Sequence, residues 1–198
     1  LAMYDNPLTL LETGLAVEGF GLGADIGALL LPWSGLGEYV FSLRSILGDV
    51  RIMAAAPPGL ERVVRLALRT RGVYEGGTIT IFSAGPEVAG LECLKQVEGA
   101  GTPPEAALLL NAIQWSSSPE AAMRSAVTGV RSGGRVYILQ TLRSSESLPM
   151  VILGRLLGGN LLPTWEELER SLGGAGVGWR VISRTGSAVA LEVTTGVR

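Results

Sequence analysis

The chain has 198 residues, which is enough to bury a hydrophobic core within one domain. Its formal net charge of −2 provides no basic surface for nucleic acid or for an anionic membrane. The chain has no histidine and a single cysteine, Cys93, which excludes Ser-His-Asp and Cys-His catalysis, the commonest metal ligand and any intrachain disulfide.

No apolar run reaches the roughly 18 residues that a membrane span requires. Residues 1–23 contain Asp5, Glu12 and Glu18 and lack the basic start of a signal peptide. We therefore expect a cytoplasmic protein with one domain over residues 1–198, in which an N-terminal helical extension (1–23) precedes a sheet core (24–198). Cys93 is expected to be a small buried apolar residue, since Leu91 and Leu94 flank it.

The first half of the chain predicts strands that alternate with helices. Leu8, Leu11 and Leu15 recur at nearly helical spacing, which predicts a helix before the sheet. Further helices are predicted over 38–47, 59–71 and 87–97, and apolar or β-branched runs predict strands over 25–31, 50–55 and 78–82.

The stretch from Ala106 to Leu139 predicts a strand, a helix and a second strand. Residues 106–110 form an uncharged run too short for a helix, which indicates a strand buried on both faces. Ser118 before Pro119 is typical of a helix start, and the helix is expected to stop at residues 132–134. Two strands joined in this way almost always pair in parallel in one sheet, through a right-handed connection.

The last third predicts a helix and a hairpin. Thr164 and Glu167 form a capping-box pattern that begins a helix ending at residues 173–174. Strands over 179–184 and 188–194 are joined by three residues, a spacing typical of a hairpin. The apolar patch from Pro149 to Leu162 is open to four interpretations: core, substrate lid, dimer surface or membrane-touching helix.

This element order predicts an α/β fold, with a Rossmann-like, seven-stranded, mostly parallel sheet, helices on both faces and a C-terminal antiparallel hairpin. It resembles the class I S-adenosylmethionine-dependent methyltransferases from about Ile26 to Val193. The stretch NAIQWSSSPEAAMRSAVTGVRSGGRVYI is similar to small-molecule methyltransferases of the trans-aconitate and malonyl-carrier-protein type, and residues 164–184 resemble their last helix and sixth strand.

The resemblance implies a cofactor, S-adenosylmethionine, at the carboxyl ends of the first four strands. The cofactor-binding positions that it implies are Trp33, Ser34, Gly35 and Gly37 in the turn after the first strand, Ala55 after the second, Ala84 after the third and Asn111 after the fourth. Residues 35 and 37 would also suit an ordinary strand-to-helix turn, and Asn111 suits a turn without any ligand.

These positions depart from the family's pattern. The acid that opens the glycine-rich motif is Leu31 here, and the motif's first glycine is Trp33. The acid that accepts hydrogen bonds from the cofactor ribose falls at Ala55 or its neighbour, and the polar residue near the adenine falls at Ala84 or the glycine after it. Each lost acceptor forfeits about 1.5–3 kcal/mol, so three losses would weaken cofactor binding by several orders of magnitude.

Gln114 and Trp115 are candidate walls of a substrate pocket, with packing over the sheet edge as the alternative. Tyr4 could reach over the cleft as part of a lid, although a frayed terminus is the commoner fate. No residue is predicted as catalytic, because methyl transfer depends mainly on proximity and orientation. Glu38 is the acid closest to the glycine turn, and a solvated helix-cap role is expected for it.

Three functions remain open. The first is a methyltransferase that acts on a small metabolite through an atypical cofactor pocket. The second is a non-catalytic methyltransferase-like partner subunit or homodimer. The third is another nucleotide-binding Rossmann protein. The absence of G-x-G-x-x-G and of an acid after the second strand argues against this third function. The partner is accordingly a small-molecule substrate or a protein.

Overall fold

A computed structural model describes residues 7–23, 26–73, 77–98, 101–144, 147–156 and 158–194. In chain order the elements are α1 (Pro7–Gly19), β1 (Ala28–Leu31), α2 (Glu38–Leu47), β2 (Arg51–Ala56), α3 (Glu61–Thr70), β3 (Ile79–Ser83), α4 (Ala89–Val97), β4 (Ala106–Leu110), α5 (Pro119–Thr128), β5 (Arg135–Thr141), α6 (Leu148–Leu156), α7 (Trp165–Ala175), β6 (Gly178–Arg184) and β7 (Ala188–Thr194).

The strands form one seven-stranded sheet in the order β3-β2-β1-β4-β5-β7-β6. The first five strands pair in parallel, and β7 pairs antiparallel with both β5 and β6. This arrangement confirms the predicted fold class. The strand order reverses between β1 and β4, and ligands of open α/β sheets bind outside the carboxyl ends of the strands at such a reversal.

Helices cover both faces of the sheet, as predicted. On one face α4, α5 and α7 bury a cluster that includes Cys93, Met123 and Leu172. On the other face α1, α2 and α3 bury a second cluster that includes Val17 and Leu68. The central strand β4 is buried over its whole length, because each of its side chains enters one of these two cores.

The predicted helix starts at Ser118 and Thr164 are confirmed. The Ser118 hydroxyl accepts a hydrogen bond from Ala121 N, and Thr164 and Glu167 form a complete capping box. The predicted ends of helices are less accurate, since α5 ends at Thr128, several residues before the predicted stop. There Gly129 packs against the backbone of Gly90, and a Cβ at Gly129 would lie 2.7 Å from Gly90 Cα.

Several further bounds differ from those expected by one to three residues. β1 begins at Ala28, and of the three residues added in the prediction, 25–27, residue 25 lies outside the described residues. The helix expected over 59–71 spans Glu61–Thr70, and the one expected over 87–97 begins at Ala89. Residues 113–115 form a single 3-10 turn inside what was expected to be an irregular polar turn.

Helix α1 forms where it is predicted, but its buried face differs from the one that the leucine spacing indicates. Ala16, Val17 and Phe20 face the sheet, and Phe20 stacks on Tyr137 with ring centroids 4.7 Å apart. Leu11 and Leu15 are 59% and 61% exposed. These two leucines therefore lie on the protein surface and contribute little to the core.

Cys93 is fully buried, as expected, with its Sγ 3.7 Å from Met53 Sδ. Burial raises the pKa of the Cys93 thiol to about 12. The apolar patch is mixed: Ile152 and Leu156 of α6 are exposed, whereas Leu162 is buried. Among the described residues, no helix has the length and apolar character needed to cross a membrane.

Candidate functional site

The site is the carboxyl edge of β1, β2, β3 and β4, where the strand order reverses. The turn that follows β1 is anchored on β2 by a hydrogen bond from Ser34 N to Ala55 O of 2.9 Å. Gly35 and Gly37 have φ of 58° and 105°, a region that L side chains rarely adopt. The turn then leads directly into the N-terminus of α2.

Glu38 folds back over this turn. Its Oε2 accepts a hydrogen bond of 2.7 Å from Leu36 N, and a Cβ on Gly35 would lie 2.0 Å from Glu38 Oε1. Burial raises the pKa of Glu38, although bonds from the backbone N–H groups of Glu38 and Leu36 oppose that rise. The expectation of a solvated helix cap is therefore wrong, because the carboxyl is partly buried against its own loop.

Trp33, in the turn after β1, meets Trp115 from the loop after β4. Their rings stack with centroids 5.5 Å apart and an interplanar angle of 13°. The loop before α7 packs behind them: a Cβ on Gly159 would lie 3.1 Å from the Trp115 ring, and Asn160 N donates to Gln114 O. The structure thus brings together Trp33, predicted in the cofactor-binding turn, and Trp115, predicted as a wall of the substrate pocket.

The positions predicted at the carboxyl ends of β2 and β3 lie in the core. Ala55 is fully buried, and Ala84 is 4% exposed with its N–H donating to Ala56 O. Both alanines belong to the cluster against which Trp33 packs. Neither presents a polar side chain or an open surface to the cleft.

Asn111 lies at the end of β4 with a φ of 47° and is 7% exposed. Its Oδ1 accepts from Thr141 N at 2.7 Å, which ties the end of β4 to the end of β5. Its Nδ2 donates to Oε1 of Glu12, a residue of α1. Asn111 thus has both a turn conformation and a structural hydrogen-bond network.

Glu12 is a member of the site that the sequence prediction missed. It extends from α1 to Asn111, and Tyr39 OH donates to its Oε2 at 3.5 Å. Burial is the main cause that raises the pKa of Glu12 to about 7. The hydrogen bond from Tyr39 lowers this pKa, and the nearby negative charge of Glu38 raises it further. The sequence signal for Glu12 is an acidic residue among the apolar residues of a predicted helix. That signal does not indicate which residues the side chain contacts.

Glu87 is a second carboxylate at this edge, in the loop between β3 and α4. Its Oε1 accepts from Ser116 Oγ at 3.0 Å and from Ser117 Oγ at 2.9 Å. Burial alone would raise the pKa of Glu87, but these bonds and two backbone N–H bonds outweigh it and lower the pKa. Glu87 therefore joins the loops after β3 and β4.

Two predicted pocket residues remain. Gln114 is 7% exposed, so its side chain is buried. Tyr4 lies outside the described residues. Among the described residues, no three His, Cys, Asp or Glu side chains come together in a way that could hold a metal ion.

The sheet order and the reversed terminal hairpin define the class I S-adenosylmethionine-dependent methyltransferase fold. An O-methyltransferase family protein from Burkholderia thailandensis superimposes with a TM-score of 0.65 at 14% identity, over 98% of this chain and 58% of its own. Mitomycin 7-O-methyltransferase MmcR superimposes with a TM-score of 0.68 at 16% identity, over 94% of this chain and 54% of its own.

YcgJ from Bacillus subtilis has a TM-score of 0.61 at 12% identity, over 87% of this chain and 70% of its own. This chain therefore spans between half and two thirds of the length of the two O-methyltransferases. No protein-family model matches the sequence, and no curated protein matches it significantly.

The residues at the edge do not fit S-adenosylmethionine as they stand. Ala55 and Ala84 offer no acceptor for a ribose or an adenine, and both are buried. The rings of Trp33 and Trp115 stack at the turn, and the Glu38 carboxyl already accepts a hydrogen bond from Leu36 N. A nucleoside would have to displace these side chains before it could contact the backbone of the turn.

Proposed function

We propose that this chain is a methyltransferase-fold domain that no longer binds S-adenosylmethionine and serves as a non-catalytic binding or partner domain. The observation that carries the proposal is the Trp33–Trp115 stack, because it occupies the side of the turn that the family's glycines leave open. The burial of Ala55 and the inward fold of Glu38 support it independently.

The energetics favour the closed cleft. Two stacked tryptophans gain about 0.5–1.5 kcal/mol beyond the burial of their apolar area, and opening the cleft would forfeit that gain. A cofactor would also lack two acceptors at about 1.5–3 kcal/mol each. These costs add to several kcal/mol, which turns a micromolar cofactor site into one weaker than ~1 mM.

Calorimetry with S-adenosylmethionine and with its demethylated product tests the proposal. We expect no binding heat at ~1 mM ligand for the unmodified protein. Micromolar binding of either compound would refute the proposal and support the first function, an active methyltransferase.

A designed restoration of the site tests the same geometry from the other direction. The variant Leu31→Asp with Trp33→Gly and Ala55→Asp should bind S-adenosylmethionine, since it removes one ring of the stack and returns two acids. Its matched control replaces Trp33 by Phe and should remain unable to bind. Because Leu31 and Ala55 are fully buried, Trp33→Gly alone is the milder variant, and it should gain weak binding of the product.

An active methyltransferase with an atypical pocket is the second candidate, and Glu87 is the observation in its favour. Its carboxylate lies after β3 with hydroxyl partners that keep it ionised, near where a nucleoside amine would need an acceptor. If this candidate holds, Glu87→Gln should weaken cofactor binding at least tenfold, whereas under the first proposal the substitution has no cofactor binding to change.

A further inference from the structure

A lateral cavity of about 540 Å³ lies between α1 and the β7–β6 hairpin, and neither Trp33 nor Trp115 lines it. Its floor is buried and includes Ala16 and Phe20. Its rim is apolar and open: Leu15 is 61% exposed and Ile182 is 37% exposed. Its volume falls within the range of small-molecule sites, which are about 300–1,000 Å³.

The shape of this cavity follows from the unexpected rotation of α1. The helix packs on the sheet through Ala16 and Phe20, while Leu11 and Leu15 are exposed and line the lateral cavity. Strand β6 is exposed along almost its whole length, and no described helix covers the hairpin on this side. Apolar side chains thus border an open groove in place of a packed interface.

One ionisable group lies in the wall of the lateral cavity, the carboxyl of Glu12. Asn111 and Tyr39 each donate to one of its oxygens, and each oxygen retains a free acceptor direction. Among the described residues that line the lateral cavity, none is basic. Arg135 and Arg180 line an adjoining cavity of about 400 Å³, where Arg180 already pairs with Glu192 at 2.5 Å.

We propose that the lateral cavity is a binding site for a small apolar molecule that carries a primary ammonium group, with the apolar body against Leu15, Ile182 and Ala190 and the ammonium on Glu12. An apolar groove with a single buried carboxyl selects for a ligand of opposite charge, because the ammonium replaces the water that the carboxylate has lost. Glu12 also bonds to Asn111 of the candidate site, but the proposal requires no cofactor there.

The protonation of Glu12 supports the assignment. Burial raises the pKa of Glu12 to about 7, so near neutral pH the carboxyl is protonated in a large fraction of the molecules. A bound ammonium favours the ionised form and lowers that pKa. Binding should therefore release protons near pH 7 and release few at pH 9, where Glu12 is already ionised.

Three probes with the same aromatic body test the site: naphthylmethylamine, naphthylmethanol and naphthoate, titrated calorimetrically near pH 7. We expect the amine to bind at least tenfold more tightly than the carboxylate, with the alcohol between them. Titration of the amine in two buffers of different ionisation enthalpy should show the proton release.

Two variants and one control locate the site. Glu12→Gln should weaken amine binding about tenfold and leave the alcohol unchanged, since a charged hydrogen bond becomes a neutral one. Ala190→Phe should abolish binding of all three probes by filling the groove. Glu18→Gln, on the exposed side of the same helix, should change nothing.

Equal binding of the three probes, preference for naphthoate, or absence of binding by any probe would overturn the proposal. Retention of amine binding by Ala190→Phe would overturn it as well. If Glu12→Gln unfolds, Ala190→Phe and the proton release still decide the outcome, because both use a chain in which Glu12 is present.

Discussion

The buried carboxyl of Glu12 should make the stability of this protein fall as pH rises. Its pKa is raised from 4.5 to about 7 in the folded state, mainly by burial. The folded state therefore binds the proton more tightly than the unfolded state does. The stabilisation is fully present below pH 4.5 and is lost as pH rises through about 7.

The size of the effect follows from the shift. Each pKa unit corresponds to 1.36 kcal/mol, so the rise from 4.5 to about 7 corresponds to roughly 3 kcal/mol of unfolding free energy. This is a large fraction of the 5–15 kcal/mol typical of a domain. Glu38 shifts in the same direction and adds to the trend.

The measurement is urea unfolding of the unmodified protein and of Glu12→Gln at several pH values between about 4 and 8.5. Glutamine can keep both hydrogen bonds, with its oxygen toward Asn111 and its amide toward Tyr39, and it does not titrate. The difference between the two proteins isolates Glu12 from every other carboxyl. It should change by roughly 3 kcal/mol in favour of glutamine across this range.

The control is Glu18→Gln, which makes the same substitution at an exposed position of α1. A pH-independent difference for Glu12→Gln would refute the reasoning, since it would mean that Glu12 titrates equally in the folded and unfolded states. A difference of the opposite sign would mean that hydrogen bonding outweighs burial at this carboxyl.

Three further predictions concern stability and reactivity. Gly90→Ala should lower the unfolding free energy measured in urea by about 3 kcal/mol, because the added Cβ would lie 1.7 Å from Ser125 O. Its control, Gly173→Ala, places a Cβ with nothing within 4 Å and should raise the unfolding free energy by up to about 1 kcal/mol. Thr164→Ala should cost about 1 kcal/mol in the same assay through the lost capping box, and an unchanged midpoint would contradict that role. Cys93 should react with an aromatic disulfide reagent only after denaturation; rapid labelling of the native protein would show that its burial is not maintained in solution.

Much of the fold could be predicted from the sequence because its signals are local. Ser118 and Pro119 begin α5, Thr164 and Glu167 begin α7, and both patterns act over three or four residues of the chain. The parallel pairing of β4 and β5 follows from the short helical connection between them. Element bounds were less accurate where a neighbouring element decides them, as at Gly129, which lies against Gly90.

The sequence by itself determined the α/β class, the positions of most helices and strands, and the hydrocarbon character of the residues after the first three strands. Only the tertiary structure decided that Trp33 meets Trp115 and that Glu12 reaches Asn111, 99 positions along the chain. Such contacts depend on how helices rotate and dock on the sheet, which is settled by the packing of the two cores as a whole. For this reason the leucine spacing of α1 predicted a helix but not its buried face.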